Sequence, residues 1–408
     1  LSQKSTLKIL QLVPEALPTF RADVAVLFGK YLPRHGVCTD IVGKAGAAER
    51  AEQGFASSRR PRATTSRWRQ ECTFLALCVR ALLGARKDNC DVIQVRDMVS
   101  IGLLALLLAR LKGIPMTYWM SYLMSEGRIE RARAQLQLRP SLRARLVLLK
   151  GKVEMRLLYR VILPRAAHVF VQSDAMLQLM LSHKIDAARL TAVPMAVDME
   201  AIDGKVQGRA RIGWEGQPVI AYLGTLDQAR CLHHLLDALL LVRSSVPEAR
   251  LLLIGGSPTS SDVPQLLAYA ASLGLVDVVH VTGWLPSDQA WEYLLGADAA
   301  VSYVPRGKLY DVSSPTKLLE YLALGMPCVA NDIPDQAHVL TASQAGWLVE
   351  SNAKAMAQAL VEILGDTSAA RARAQAGPDY INTSRSYRAL GAVLAQRYLS
   401  LFAGHSKY

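Results

Sequence analysis

Residues 313–331 read Ser313-Ser314-Pro315-Thr316-Lys317-Leu318-Leu319-Glu320-Tyr321-Leu322-Ala323-Leu324-Gly325-Met326-Pro327-Cys328-Val329-Ala330-Asn331. The stretch predicts a short helix between a loop and a buried strand. Pro315 suits the first helical position, where a missing N–H removes no bond. Ser314 before it is a good N-cap. Gly325 is placed to end the helix in a left-handed conformation, with Pro327 soon after. Residues 327–330 then read as a strand. Leu318, Leu319, Leu322 and Ala323 are apolar, yet Glu320 sits among them. A carboxylate in that setting needs a protein cation, such as Lys317 three residues before it, or a ligand hydroxyl. The helix N-terminus offers unpaired N–H groups and a positive dipole end, which suit a phosphate. A phosphate site and a carboxylate about one turn apart fit a nucleotide sugar, with the diphosphate at the helix end and the ribose on the acid.

Outward from this stretch the chain alternates strand and helix. Before it, residues 218–224 are a near-continuous apolar run, as expected of a strand buried on both faces. Strands at 251–254, 278–281 and 299–303 alternate with helices at 232–242, 263–273 and 287–295, the last capped by Ser287. Helices at 353–364 and 387–401 close the chain. The first half repeats the pattern. It has strands at 7–13 (ended by Pro14), 36–42, 91–95, 115–119, 168–173 and 190–193, and helices at 21–32, 72–83, 100–111 and 174–182. Such alternation predicts parallel sheets. Residues 43–69 read as a loop or insert, and residues 199–218 as a linker. The chain is thus expected to be α/β with two Rossmann-like domains: 1–204, 205–380, and a C-terminal helix in 381–408.

The composition is that of a globular chain: 51% hydrophobic and 20% charged residues among 408. The longest apolar run, 101–111, is shorter than the ~18 residues of a membrane span and reads as a core helix. The start of the chain lacks the apolar segment of a secretory leader. Six cysteines, at 38, 72, 78, 90, 231 and 328, form no CxxC pair and no metal spacing. They fit a reducing, cytoplasmic location.

The net charge of +13 calls for an anionic partner. It concentrates in residues 128–165, which hold eleven Lys or Arg and two acids, Glu130 and Glu154. Leu142, Leu146, Leu149, Val153 and Leu157 recur among them at helical spacing. Two readings stay open: a solvated helical hairpin packed on its domain, or a segment drawn to an anionic membrane surface through Arg139, Arg143, Arg145, Lys150 and Lys152. Interleaved aromatics and nucleic-acid motifs are lacking, so nucleic acid is not an expected partner.

The order of these pieces resembles the retaining glycosyltransferases of family 4, group 1 enzymes with the GT-B fold. The resemblance covers nearly the whole chain. It is carried by Tyr222-Leu223-Gly224-Thr225-Leu226-Asp227 with Arg230, Leu253-Ile254-Gly255-Gly256, Val281-Thr282-Gly283-Trp284-Leu285-Pro286, Ala297-Asp298-Ala299, and the 313–331 stretch. It implies two domains facing across a cleft, with the last helix returning to the first domain. It also implies a UDP- or GDP-sugar donor, and metal-independent transfer with retention to a lipid-linked or saccharide acceptor, as in surface polysaccharide or glycolipid synthesis. Residue by residue, Glu320 matches the acid on the ribose and Arg230 the base that neutralises the diphosphate. Ser313, Ser314, Pro315, Thr316 and Lys317 face the phosphates, backed by Gly224, Thr225 and Gly256. Gly283 and Trp284 lie at the nucleobase.

The chain also departs from the family pattern. The family places a second glutamate eight positions before Glu320. Here that position is Val312, with Asp311 beside it. Either Asp311 stands in for that acid or the acid is absent. Where many members carry a histidine near the sugar, this chain has Trp119 and Ser121, with Glu126 nearby. These three enter as acceptor or catalytic candidates. Two rivals follow: a sugar-nucleotide 2-epimerase of the same fold, and a catalytically inactive partner subunit. The sequence leaves the oligomeric state open.

Overall fold

The computed structural model describes residues 6–46, 54–63, 65–205, 210 and 213–402. It comprises two compact α/β units, and the chain changes unit at Pro194/Met195 and again at Ser386/Tyr387. The sequence reading placed these changes at 204/205 and 380/381. Residues 206–209 and 211–212 of the expected linker, and the end of the C-terminal segment from 403, lie outside the described residues.

Unit 1 is built on a parallel sheet of strands β1 (Leu7–Leu17), β2 (Val37–Ala45), β3 (Ser57–Arg59), β4 (Val92–Arg96), β5 (Met116–Met120), β6 (His168–Val171) and β7 (Leu190–Ala192). Their order is β3-β2-β1-β4-β5-β6-β7. β4 and β5 are buried along their whole length, and their polar Gln94, Arg96 and Thr117 are buried with the apolar residues. β1 does not stop at Pro14. It continues to Leu17 through a register shift against β2 between Leu12 and Ala16, where the absent proline N–H is not needed. The expected insert 43–69 is partly structured as well. β2 reaches Ala45, β3 pairs with β2, and a helix starts at Arg67. Residues 47–53 and 64 of that insert lie outside the described residues. The expected helix 21–32 is broken. It runs from Ala22 to Ala25, widens over Leu27–Tyr31, and tightens over Leu32–His35, where Pro33 cannot supply an α-helical N–H.

The basic stretch forms two helices, Met124–Leu138 and Leu142–Leu157, the second capped by the Ser141 hydroxyl accepting from the Ala144 N–H at 3.2 Å. A Cβ on Gly151 would lie 2.9 Å from Ile129, so this glycine lets the two helices approach closely. The opposite face of the second helix carries Leu142, Leu146, Leu149 and Val153, all exposed. The helix Val99–Lys112, read as a core helix, buries only one side, and its Leu107 and Leu111 are exposed. The last helix, Tyr387–Phe402, packs within unit 1. Its Tyr398 hydroxyl donates to the buried Gln94, and its ring lies 4.8 Å from Phe170.

Unit 2 holds a second parallel sheet: β8 (Val219–Leu223), β9 (Arg250–Ile254), β10 (Val279–Val281), β11 (Ala299–Ser302), β12 (Cys328–Asn331) and β13 (Trp347–Val349). The order is β10-β9-β8-β11-β12-β13. One face packs Leu235, Leu239, Leu360 and Ile363; the other packs Leu318, Leu319, Leu322 and Val339. Each buried Leu contributes about 1.5–3 kcal/mol through burial. The numbering of neighbours reverses between β8 and β11, and ligands of open α/β sheets sit outside the carboxyl ends of the strands at such a point.

Candidate functional site

The loops that follow β8, β9, β10 and β11 carry most of the residues singled out in the sequence. The loop after β11 leads into the helix Thr316–Ala323. Its C-terminus is as expected. Gly325 has φ +63°, its N–H reaches the Leu322 carbonyl at 3.0 Å, and the Met326 N–H reaches Tyr321 at 2.9 Å. Its N-terminus differs from the expectation. Pro315 itself occupies the cap position, and no side chain caps the helix. The Ser314 hydroxyl instead donates to Asp335 Oδ2 at 2.8 Å and accepts from the Met195 N–H at 3.0 Å. Asp335 pairs with the buried Arg385, whose Nη1 donates to the Met195 carbonyl at 3.1 Å. A buried hydroxyl beside a carboxylate gains more from that charge-assisted bond than from a backbone amide. The first-turn amides are thus left to another acceptor.

Glu320 is half-buried. The Trp291 indole N–H donates to its Oε1 at 3.4 Å, and Oε2 receives no hydrogen bond from the described residues. Burial pushes the carboxyl up to about 7 against the pull of Trp291 and Lys317. Lys317 is half-buried on the preceding turn, its ammonium 5.2 Å from the centre of the Tyr222 ring. Burial, and then the nearby Arg230 guanidinium, bring Lys317 down to about 7. Arg230 ends the turn Gln228–Arg230 and lies 3.8 Å from Asp227. Cys231 after it has φ +51°, and the Tyr310 hydroxyl donates to the Ala229 carbonyl at 3.2 Å, tying this turn to the loop after β11.

The glycines form the floor. Gly224 and Gly255 have φ +146° and +139°, and a Cβ on Gly255 would fall 2.0 Å from the Gly224 carbonyl oxygen. Only glycine fits there. Gly255 also pairs with Gly283 in an isolated bridge, and the Thr282 hydroxyl accepts from the Gly255 N–H at 3.2 Å. Trp284 is exposed, its indole nitrogen 2.9 Å from where a Gly256 Cβ would lie. The Thr225 carbonyl faces the Tyr222 hydroxyl at 3.5 Å. Thr316 begins the helix itself.

Two expected members face elsewhere. The Ser313 hydroxyl turns back to donate to the Tyr310 carbonyl at 2.6 Å. The Asp311 carboxylate is held by Arg306 at 2.8 Å, and Arg306 also reaches Asp332 at 3.2 Å. Asp311 is thus paired with a protein cation, and its neighbour Val312 is buried.

The unit 1 candidates separate. Trp119 belongs to the core: it is almost fully buried and stands edge-on to Phe28 at 5.3 Å, too enclosed to stack on a ligand. The Ser121 hydroxyl donates to Asp97. Glu126 is buried and accepts from the Tyr159 hydroxyl. Arg139, Arg143, Arg145, Lys150 and Lys152 are all exposed. Sequence reasoning missed Trp291, Asp335, Arg385 and Arg306. No local motif marks them; each meets its partner only through the fold.

Taken together, the loops of unit 2 surround a helix end with two cations and an acid that has a free acceptor oxygen. Such a group binds an anion and a hydroxyl side by side. Among the described residues, no group of three or more His, Cys, Asp or Glu is placed to hold a metal ion.

Two family models match the chain: one described as "Glycosyl transferase 4-like domain" over residues 15–196, and one described as "Glycosyl transferases group 1" over residues 217–366. Among curated proteins, the chain is 27% identical over 217 residues to a GDP-mannose-dependent alpha-(1-6)-phosphatidylinositol monomannoside mannosyltransferase of Mycolicibacterium smegmatis, covering 52% of this chain and 56% of that protein. The protein of the same description from Mycobacterium tuberculosis is 27% identical over 218 residues, 51% of this chain and 55% of its own. The chain thus spans about half the length of the curated relatives it matches. Among solved structures, Anabaena HepE in complex with UDP and glucose superposes with a TM-score of 0.70 at 16% identity, covering 97% of this chain and 100% of that one. Sucrose-phosphate synthase of Thermosynechococcus elongatus gives 0.71 at 17%, covering 97% and 99%. WaaG, a glycosyltransferase involved in lipopolysaccharide biosynthesis, gives 0.64 at 13%, covering 95% and 99%.

Proposed function

The chain belongs to the group 1 glycosyltransferases, with the GT-B fold, and from that premise we propose that it moves a hexose, with retention, from a UDP- or GDP-sugar to a lipid-linked or saccharide acceptor. The observation that carries this reading is the placement of Lys317 and Glu320 about one turn apart on one helix, within the electrostatic reach of each other and with Arg230 near Lys317. The ribose hydroxyls donate to Glu320 Oε2, and the diphosphate lies against Lys317, Arg230 and the uncapped first turn of the helix. Departure of the nucleoside diphosphate builds charge on the leaving oxygen. These fixed donors stabilise that charge more in the transition state than in the ground state. Trp284 and Gly283 border the nucleobase. Asp311, already paired with Arg306, acts on the sugar only if Arg306 releases it.

The acceptor side of the proposal rests on unit 1. Exposed Leu142, Leu146, Leu149 and Val153 share one helix face, flanked by Arg143 and Lys150 on one side and Arg145 and Lys152 on the other. This pattern fits an interfacial helix on anionic lipid, and so a peripheral protein on the inner face of the cytoplasmic membrane with a lipid-linked acceptor. Among the described residues no helix is long and apolar enough to cross a membrane. The six cysteines are free thiols, consistent with a reducing compartment.

Incubating the protein with UDP- and GDP-hexoses, with and without a lipid-linked acceptor, tests the reading. Transfer that needs acceptor, giving the donor's anomeric configuration, is expected. Conversion of the donor's sugar without acceptor identifies an epimerase. Donor binding with no turnover on any acceptor identifies an inactive partner subunit.

A further inference from the structure

We infer that Tyr321 is a positioning residue of the unit 2 site: its hydroxyl stands in for a hydrogen bond of the sheet, holds the carboxyl ends of β8 and β11 apart, and seats the helix turn that carries Lys317 and Glu320. The inference rests on the function proposed above and names what keeps its donor crevice open. Glu320 meets Trp291, while Tyr321, its neighbour in the chain, points into the sheet.

β8 and β11 are in register at Ile220–Ala299 and Ala221–Ala300. One step further the register pairs Tyr222 with Val301, and the bond due there runs from the Leu223 N–H to the Val301 carbonyl. The equivalent bond on the other edge of β8 is made: past the pair Leu223–Ile254, the Gly224 N–H donates to the Ile254 carbonyl at 3.0 Å. Toward β11 the Tyr321 hydroxyl takes the place of that bond. It accepts from the Leu223 N–H at 2.9 Å and donates to the Val301 carbonyl at 3.3 Å. A phenol can do both at once. Tyr321 is fully buried, and burial holds its hydroxyl well above the usual phenol range, so it stays protonated.

The sheet divides around this hydroxyl. Beyond Leu223 the chain stays with the β9 side, where the Leu226 N–H donates to the Gly256 carbonyl at 2.9 Å. Beyond Ser302 the chain stays with β12: the Asn331 side chain accepts from the Val304 N–H at 2.8 Å and donates to the Val304 carbonyl at 2.8 Å. The loops that bear Arg230 and Ser313 therefore part at the joint that Tyr321 fills, and at such a joint an open α/β sheet takes its ligand. Lys317 lies one turn before Tyr321 on the same side of the helix. Its Cε is 3.4 Å from where a Gly224 Cβ would lie, just past the end of β8. A helix fixed by Tyr321 to both strands thus holds Lys317 over Gly224 and Glu320 beside Trp291. Hydrogen bonds behind a binding group set how well that group is placed.

The test uses the full chain, titrated calorimetrically with UDP and GDP and followed by amide hydrogen exchange. Tyr321→Phe keeps the ring between the strands and removes the hydroxyl that joins them. It is expected to weaken the nucleotide that the natural protein binds by about tenfold, and to speed exchange in residues 219–226 and 299–304. Leu360→Ala and the milder Ile363→Val open cavities on the other face of the same sheet and bracket its loss of melting temperature. Both are expected to keep nucleotide affinity within roughly twofold, each variant being compared at a temperature where circular dichroism shows it folded. Unchanged affinity or unchanged exchange in Tyr321→Phe, or the same loss of affinity in the cavity variants, overturns the inference, the hydroxyl then serving stability alone. Absence of UDP and GDP binding by the natural protein instead overturns the proposed function of unit 2, and the inference with it.

Discussion

The indole N–H of Trp291 reaches Glu320 Oε1 at 3.4 Å, a single long neutral contact for a carboxylate set among apolar side chains. A structural ion pair holds its acid more firmly: Asp335, for comparison, is bonded by both Arg385 and Ser314. Trp291 orients Glu320 without satisfying it, and the remaining oxygen is the acceptor that the proposed function assigns to a ligand hydroxyl. An acid poised in this way should show itself in the ligand-free protein.

Glu320 titrates near 4.5 as an ordinary glutamate and at about 7 in the folded protein. The folded state keeps a proton that the unfolded chain has released. The stability from this group is therefore full below pH 4.5 and lost as pH rises through 7. Lys317 falls from 10.5 to about 7, so at pH 8 it is largely neutral and offers the acid little relief. Its own destabilisation, present below pH 7, is relieved between 7 and 10.5. Glu320→Gln is expected to raise the melting temperature of the ligand-free protein at pH 8, by roughly 2 kcal/mol of stability, and to change it little at pH 4.5. Thermal denaturation at the two pH values checks this; equal shifts at both would contradict it.

Neighbouring glycines in the floor are expected to respond differently. Alanine at 255 places its Cβ 2.0 Å from the Gly224 carbonyl at a φ of +139°, a strain of ~1–3 kcal/mol before the clash is counted. Alanine at 256 meets only the exposed Trp284 ring, which can turn aside. Gly255→Ala should lower stability measurably. Gly256→Ala should fold normally and bind nucleoside diphosphate a few-fold more weakly. Denaturant unfolding and calorimetry on both variants separate the two effects, and similar stability losses would count against this geometry.

Ser314 and Ser313 make a second contrast. Ser314→Ala removes a buried donor to Asp335 and a bond from the Met195 N–H, a loss of about 1–3 kcal/mol. Ser313→Ala removes a bond to a neighbouring loop carbonyl and should stay within about 0.5 kcal/mol. Unfolding curves that rank them equally would show that Ser314 is not tied into the Asp335–Arg385 network.

For the exposed stripe of the helix Leu142–Leu157, the expected behaviour is sedimentation with phosphatidylglycerol vesicles that weakens with salt. The double change Leu146→Ser, Leu149→Ser should abolish it. Neutralising Arg143, Arg145, Lys150 and Lys152 together should remove its salt dependence. Both residues of the double change are exposed, so the fold should be unaffected. Vesicle binding that survives both sets of changes would remove the membrane from the account.

The parallel sheets were legible because strand and helix patterns alternate along the chain and β8, buried over all but its last residue, reads as an unbroken apolar run. The C-terminus of the site helix was legible because Gly325 meets a local demand. β3 and β13 were not seen. Ser57–Arg59 is a polar edge strand, and Trp347–Val349 is only three residues long, so neither shows a period. The role of Ser314 was misread because its partner Asp335 lies twenty-one residues on, and Arg385 a further fifty. Local pattern offers a serine before a proline no alternative to capping; the buried carboxylate that outcompetes the amide exists only in the folded unit. The same holds for Trp291, which carries no local signal and reaches Glu320 only through the folding of unit 2.

The most direct test of the central claim is calorimetric titration of the full chain and of its Glu320→Ala variant with UDP and GDP at pH 7. One of the two nucleotides should bind the natural protein. The variant should lose about ten- to a hundredfold in affinity, the ~1.5–3 kcal/mol expected of hydrogen bonds to a charged acceptor. Equal affinity in both proteins, or no binding of either nucleotide, would contradict the assignment of this helix as the wall of a nucleotide-sugar site.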